Sequence, residues 1–254
     1  MRRARPHQHR RRLKRKTITV NRGVPKRVRR KIPKLRIPPA WKQVSFPTNK
    51  NYLVTGVDEK GRTQYLYPES FCVDKSAVKY KRIDKLEKKV PLLQRRLNKD
   101  LSTDEAQSVY LMLKTGFRPG TNKDTKAEKK AYGAINLKKE HIKLKPKHSI
   151  LFDFDGKKGV RINKLVQDKK LYDLLKNKKT AQDLFNTNHE KTSKYFKKLV
   201  GKEYSLKDLR TLKANQIAKQ SNLPKKELSK KVAEELGNTP SIAQKSYINP
   251  KYQK

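Results

Sequence analysis

The spacing of apolar residues changes once along this chain, and that change limits the fold more than any other feature. Between residues 44 and 73, short alternating runs such as TQYLY are separated by turn-forming residues, a pattern typical of β-strands. DEKGR (58–62) lies between two such runs and predicts a hairpin turn. From about residue 77 the apolar residues recur with a helical period. We therefore expect a small β-rich region followed by a larger helical one.

The helical region carries recognisable helix boundaries. In STDEAQSVYLMLKTG (102–116), Ser102 and Glu105 have the spacing of a capping box, and Gly116 is a typical helix stop. Other helices are predicted over residues 180–199, 205–219 and 224–237. Gly237 ends the last of these, and Thr239-Pro240 begins a short helix that leads to Tyr247.

One segment, SILFDFDGKKGVRI (149–162), interrupts the helical pattern. Apolar residues alternate on both sides of DGKKG, which predicts a β-hairpin with Lys157 and Lys158 at its tip.

The charge of the chain points to a polyanionic partner. The net charge is +44, and residues 1–36 hold 17 Lys and Arg without a single acid. Residues 1–35 carry like charges and prolines without periodicity, so we predict a disordered basic arm. The remaining chain still has 50 basic residues against 23 acidic ones, so the folded part is basic too. Nucleic acid is the commonest partner of such a surface.

Several classes of protein are disfavoured. A single cysteine, Cys72, excludes a disulfide framework and suits a reducing, intracellular compartment. No apolar run approaches the roughly 18 residues of a membrane span, and no apolar region follows the basic N-terminus as in a secretory signal. RRRLKRK (10–16) is compatible equally with a nuclear address and with a DNA-binding arm. The five histidines are scattered, so we expect no metal site.

Four segments place polar or cationic residues at the ends of predicted elements or on helices. Singly, each has an ordinary explanation: Arg210, for example, could simply pair with Asp208. The residues in question are Arg118 after a helix, Lys157 and Lys158 at the hairpin tip, Lys207 and Arg210 within a helix, and Asn238 and Tyr247 near the C-terminus.

Taken together, these segments resemble the type IB DNA topoisomerases, in particular their small poxvirus-like and bacterial branch, which giant viruses also carry. The resemblance runs from about residue 37 to residue 250 in seven ordered blocks. They are IPPAW, KGRTQYLYPESF, LMLKTGFRPG, YGAINLKKEHI, FDGKKGV, LKDLRT and LGNTPSIAQKSYINP.

The resemblance implies an α+β fold: a small β-rich N-terminal domain and a larger, mainly helical catalytic domain with a β-hairpin insert, which close around duplex DNA as a C-shaped clamp. The expected division is a basic arm over 1–35, the β-rich domain over 36–76 and the catalytic domain over 77–254. It also implies a monomer on supercoiled double-stranded DNA, with no membrane partner. The expected location is the cytoplasm of a bacterium, a viral factory or a virion, with the nucleus left open.

The resemblance also assigns roles to residues. The nucleophilic tyrosine of the family falls on Tyr247, its two arginines on Arg118 and Arg210, and its hairpin lysine on Lys157. The remaining site position, most often histidine in the family, is Asn238 here, which can donate a hydrogen bond but carries no charge. Lys207, one turn before Arg210, matches a further family position near the scissile phosphate.

The implied reaction is transesterification of DNA through a 3′-phosphotyrosyl link, which requires no cofactor. A free tyrosine has a pKa of about 10 and needs activation at neutral pH. The two guanidinium groups would stabilise the charge that develops on the phosphate, and Lys157 would protonate the leaving 5′ oxygen.

Contacts to DNA outside the chemistry are expected from the strand TQYLY and the hairpin tip. The residues concerned are Arg62, Gln64, Tyr65, Tyr67 and Lys158. Because side chains alternate along a strand, Gln64 and the two tyrosines cannot all face the same way, and the alternative is that the tyrosine face is core.

Two other functions remain open. A tyrosine recombinase shares the Arg, Lys, Arg and Tyr chemistry, but it usually has histidine where Lys207 stands and a helical N-terminal domain. A non-enzymatic, basic DNA-binding or packaging protein would account for the first 36 residues alone.

Overall fold

A computed structural model of the chain describes residues 24–31, 35–48, 51–121, 130–178 and 183–253. The chain divides into two compact units, one ending at Val78 and the other beginning at Lys79. Helices and small antiparallel sheets make up both, which agrees with the predicted α+β class.

The first unit is built on a three-stranded antiparallel sheet. Its strands are β1 (Lys42–Ser45), β2 (Val54–Val57) and β3 (Thr63–Leu66), in that order. The turn between β2 and β3 is the predicted DEKGR segment, where Asp58 accepts hydrogen bonds from Arg62 at 2.7–3.0 Å. The hairpin prediction is therefore confirmed.

A short helix corrects the prediction that residues 1–35 are disordered throughout. Helix α1 (Lys26–Lys31) buries Val28 completely against Leu53 and Val54 of the first unit. Val24 and Val28 are four positions apart and form the apolar face of this segment. The many basic residues around them make this short apolar pattern hard to recognise in the sequence. Residues 1–23 and 32–34 lie outside the described part.

The second unit is mainly helical. Its helices are α2 (Glu69–Lys99, beginning in the first unit), α3 (Asp104–Thr115), α4 (Lys169–Lys176), α5 (His189–Val200), α6 (Leu206–Gln220), α7 (Lys225–Leu236) and α8 (Pro240–Ser246). None of the helices in the described ranges combines the length and apolar character needed to cross a bilayer. The predicted stop at Gly237, with φ of 58°, and the short helix before Tyr247 are confirmed.

A second antiparallel sheet packs into the core of this unit. It consists of β4 (Ile142–Lys145), β5 (Ser149–Asp155) and β6 (Arg161–Gln167) in sequential order. Strands β5 and β6 are the predicted hairpin, and Ile150, Phe152 and Phe154 alternate into the core. Strand β4 was not predicted.

Two predicted helix starts are wrong, and tertiary contacts explain both. Thr103, not Ser102, caps α3 by accepting a hydrogen bond from the Ala106 amide at 3.3 Å, while Glu105 accepts one from Thr187 at 2.8 Å. Helix α5 starts at His189 rather than near 180, because the Leu184 amide instead donates to the Leu137 carbonyl at 2.7 Å.

Candidate active site

Arg210 lies at the centre of a polar cluster inside the second unit. Its side chain is 2% exposed and donates to two carbonyls at helix ends, Gly116 O at 2.8 Å and Leu236 O at 2.5 Å. The alternative that Arg210 pairs with Asp208 is wrong, because Asp208 caps α6 through Ser205 and pairs with Arg82 at 2.8 Å. The Nε of Arg210 has no hydrogen-bond partner within the described residues.

Tyr247 packs directly on this guanidinium. It ends α8, is 6% exposed, and its ring centroid lies 5.1 Å from the Cζ of Arg210. Helix α8 starts at Pro240, capped by Thr239, and the turn at Gly237 brings it back against the end of α7. The chain reversal predicted from the sequence therefore delivers the tyrosine to the arginine.

The backbone around Tyr247 is held by buried polar groups that the sequence analysis missed. Asn215 of α6 donates to the Tyr247 carbonyl at 2.9 Å and accepts from the Asn249 amide at 2.8 Å. Tyr80 of α2 donates to the Ile248 carbonyl at 2.8 Å. Asn215 stands five positions after Arg210 on the same helix, and an asparagine in a helix interior is unfavourable without such a partner. That unfavourable position was the signal available in the sequence.

Arg118 lies in the loop that follows α3, and its backbone is fixed by close packing. Its carbonyl accepts from the Ala134 amide at 2.8 Å. A Cβ on Gly133 would lie 2.5 Å from that carbonyl, so only glycine allows the two segments to approach so closely. The side chain is half-buried, and its charge acts on both Arg210 and Tyr247.

The electrostatics of the cluster favour ionisation of the tyrosine. Burial alone would raise the pKa of Tyr247, but the nearby positive charges of Arg210, Arg118 and Lys207 outweigh it. The pKa of Tyr247 is therefore lowered from its usual value near 10. Burial, with the neighbouring charge of Arg118, lowers the pKa of Arg210 to about 10, so this arginine still carries its charge at neutral pH.

Asn238 and Lys207 complete the cluster. Of the two orientations of the Asn238 amide, one satisfies both its oxygen and its nitrogen. In that orientation the oxygen accepts from Arg210 Nη2 at 3.1 Å and the nitrogen donates to Thr239 O at 3.1 Å. Asn238 is thus a partner of the arginine. Lys207 is exposed at the first turn of α6 and acts on Tyr247 through its charge.

Lys157 lies at the tip of the β5–β6 hairpin, and its ammonium group makes no contact with the polar cluster. The side chain is exposed at the hairpin tip and forms no hydrogen bond or ion pair with the described part of the chain. The tip end of β6 packs tightly on the turn after α7, since a Cβ on Gly237 would collide with Ile162, which pairs with Phe154 two residues from the tip. Lys158 is also exposed, with φ of 64°.

In the first unit, the candidate DNA-contact residues divide between two faces. Tyr65 and Tyr67 are 43% and 37% exposed, so the alternative that they form core is wrong. They form an aromatic row with Tyr52 and Phe71, whose ring stacks on Tyr67 at 4.8 Å. Gln64 is half-buried on the other face and donates to Asp58 at 2.9 Å. Arg62 binds the same carboxylate at 2.7 Å.

Metal ligands do not gather at the cluster or elsewhere in the described ranges, where no group of three or more His, Cys, Asp or Glu side chains could hold an ion. His141 is buried and accepts from the Lys138 amide at 3.0 Å through Nδ1, and burial lowers its pKa.

Comparison with known proteins gives a consistent result. A family model described as eukaryotic DNA topoisomerase I, catalytic core, matches residues 69–246, a segment that ends one residue before Tyr247. The DNA topoisomerase 1B of Acanthamoeba polyphaga mimivirus is 27% identical over 258 residues, covering 86% of this chain and 76% of the viral protein. The DNA topoisomerase I of monkeypox virus and the DNA topoisomerase 1B of vaccinia virus (strain Copenhagen) are each 28% identical over 222 residues, covering 77% of this chain and 69% of their own.

Proposed function

This chain belongs to the family of the eukaryotic DNA topoisomerase I catalytic core, and we propose that it relaxes supercoiled duplex DNA as a type IB topoisomerase. One observation carries the proposal beyond the family match. The ring centroid of Tyr247, whose pKa is lowered, lies 5.1 Å from the Cζ of the buried Arg210. Tyr247 is the C-cap of α8, the short helix that follows the chain reversal at Gly237. Phosphoryl transfer to a tyrosine needs this combination of nucleophile and fixed positive charge.

The proposed reaction conserves the number of phosphoester bonds. The Oη of Tyr247 loses its proton to solvent and forms a bond to phosphorus, and the bond between phosphorus and the 5′ oxygen breaks. The 3′-phosphotyrosyl strand then stays on the enzyme while the free 5′ end rotates. Attack of the 5′ hydroxyl reverses the step and releases the tyrosine, so no nucleotide is consumed.

Each remaining residue has a separate proposed task. Arg118 and Arg210 are proposed to bind the non-bridging oxygens. Asn238 holds the Arg210 guanidinium through its amide oxygen. Lys207 adds positive charge at the exposed edge of the cluster.

Lys157 is proposed as the general acid that protonates the 5′ oxygen. Its ammonium is exposed at the hairpin tip, so DNA binding is proposed to bring it against the phosphate. Removal of such a proton donor typically costs about 100-fold to 10,000-fold in rate.

DNA outside the reacting phosphate is proposed to contact the exposed face of Tyr65 and Tyr67 and the hairpin residue Lys158. Arg62 and Gln64 would have to leave Asp58 to reach DNA, since both now donate to its carboxylate. Closure of the two units around the duplex as a C-shaped clamp, action as a monomer and an intracellular, reducing location stay predictions from the family resemblance.

A plasmid assay tests the proposal. The parent protein, in catalytic amounts with EDTA and without ATP, should relax a supercoiled plasmid and give a covalent DNA adduct when stopped with SDS. Tyr247→Phe should bind DNA but do neither, whereas Tyr252→Phe, a change of the same kind nearby, should retain both. Strand exchange between two cognate sites without relaxation would indicate a recombinase. DNA binding without an adduct in the parent would indicate a packaging protein.

A modified substrate tests the role of Lys157. Sulfur in place of the 5′ bridging oxygen gives a leaving group that needs no proton, so it should restore cleavage by Lys157→Ala but not by Arg210→Ala. Lys158→Ala should weaken DNA binding without any rescue specific to sulfur. Equal cleavage of both substrates by Lys157→Ala, relative to the parent, would show that Lys157 is not the acid.

A further inference from the structure

Strand β6 contributes a lysine to the interior of the second unit. The Lys164 side chain is 16% exposed, and its ammonium donates to Glu235 O at 2.9 Å, to Glu235 Oε2 at 2.7 Å and to Thr115 O at 3.2 Å. An ammonium has three donors, and all three are used here. Two of the acceptors are main-chain carbonyls at the C-terminal ends of α7 and α3.

The same two helix ends support Arg210. Its acceptors are Gly116 O and Leu236 O, each the next carbonyl along the chain after one that Lys164 binds. The last carbonyls of a helix lack partners within the helix and carry the negative end of its dipole, so cations bind them well. Two cations from different elements thus bridge the same pair of helix ends at consecutive residues.

The two helix ends are also in direct contact. A Cβ on Gly116 would lie 2.8 Å from Cδ2 of Leu236 and 3.0 Å from Cγ of Lys213, so the glycine permits an approach that any side chain would widen. The distance between the two carbonyls that orient Arg210 therefore depends on how closely α3 and α7 are held together. Lys164 is the described side chain that bonds to the adjacent carbonyl on each side.

We propose that Lys164 is a positioning residue for Arg210, and this inference rests on the function proposed above. By fixing Thr115 and Glu235 against β6, it fixes the two carbonyls that orient the guanidinium beside Tyr247. It does not touch the reacting phosphate. Because Arg210 stabilises one transition state that is shared by cleavage and religation, a displaced guanidinium slows both steps by the same factor.

Lys164→Met tests the proposal, since it keeps most of the side-chain volume and removes the donors. At saturating DNA, the single-turnover rates of cleavage and religation should both fall by about 10-fold to 100-fold, because displacement of a reacting group by about 1 Å costs about 100-fold. The fraction of DNA held as covalent adduct at equilibrium and the Kd for DNA should stay unchanged. Lys164→Arg, which can still donate to the carbonyls, should recover most of the rate.

Two controls separate positioning from loss of charge or of fold. Lys145→Met removes an exposed lysine from the same sheet and should leave the rates and the adduct fraction unchanged. The sulfur-substituted substrate should not rescue Lys164→Met, because the defect is in Arg210 and not in the supply of a proton. If Lys164→Met fails to fold, Lys164→Arg and Lys164→Gln replace it. The cleavage and religation rates should then be highest in the parent, lower in Lys164→Arg and lowest in Lys164→Gln.

Several outcomes would overturn the proposal. The proposal is wrong if Lys164→Met cleaves and religates at the parental rates, or if it only binds DNA more weakly and keeps the parental rates at saturating DNA. It is also wrong if the sulfur substrate rescues Lys164→Met, or if Lys164→Arg and Lys164→Gln cleave at equal rates. Absence of an adduct in the parent is a different result, since it refutes the proposed function itself.

Discussion

The amide of Asn215 should be required for both the stability of the C-terminal segment and the placement of Tyr247. In Asn215→Ala, the Tyr247 carbonyl and the Asn249 amide lose their partner in a region where both residues are under 10% exposed, at 6% and 8%. A buried polar group left without a partner costs about 1–3 kcal/mol. Two such groups give a loss of about 2–6 kcal/mol in the free energy of unfolding. For a unit of this size, the expected fall in Tm is on the order of 10 °C.

Activity should fall even where the variant is fully folded. At 25 °C and saturating DNA, cleavage by Asn215→Ala should slow by about 10-fold to 100-fold, because the main chain that carries the nucleophile is no longer fixed. Differential scanning calorimetry and single-turnover cleavage measure the two effects. Asn98→Ala, a change at an exposed helical asparagine, should stay within about 0.5 kcal/mol of the parent and cleave normally. A parental Tm together with a parental cleavage rate in Asn215→Ala would refute the reasoning.

Two further predictions concern pH. The cleavage rate should rise with pH and level off below the usual tyrosine pKa of about 10. In Arg210→Gln the plateau should move to higher pH, because burial raises the pKa of Tyr247 and less positive charge then opposes this effect. Coincident plateaus in single-turnover profiles would contradict this. Burial alone would raise the pKa of Asp168, but the Lys114 ammonium holds this pKa below its normal value. The ionised carboxylate therefore stabilises the fold above about pH 4, the usual pKa of an aspartate, and this stabilisation is lost as pH falls through the lowered pKa of the folded state. Asp168→Asn, which can still cap α4, should therefore cost about 1 kcal/mol in urea unfolding at neutral pH and progressively less in acid, and an equal cost at both would be the contrary result.

The parts of the fold that follow local rules were predictable from the sequence. Alternation around DGKKG gave the β5–β6 hairpin, and Gly237 with Thr239-Pro240 gave the reversal before Tyr247. These features depend on residues close together in sequence, where period, turn chemistry and capping act directly. The family resemblance then selected Arg118 and Arg210, which lie far apart in the chain and share no local signal.

The parts that depend on distant contacts were not predictable. Ser102 and Glu105 have capping-box spacing, yet Thr187 takes the Glu105 carboxylate and Thr103 becomes the cap. A lysine in a β-strand is normally read as exposed, and nothing near Lys164 indicates that two helix ends meet around its ammonium. In such places, a side chain's role is set by partners that only the tertiary structure supplies.

Tyr247 as the residue that joins DNA is the central claim, and the trapped adduct tests it most directly. Trypsin should release Ser246–Lys251, a peptide whose single tyrosine is Tyr247 and which cleavage after Lys251 separates from Tyr252. After nuclease digestion, mass spectrometry should find a 3′-linked nucleotide on this peptide in the parent and none in Tyr247→Phe. A nucleotide on another peptide, a 5′ linkage, or an adduct that persists in Tyr247→Phe would contradict the account.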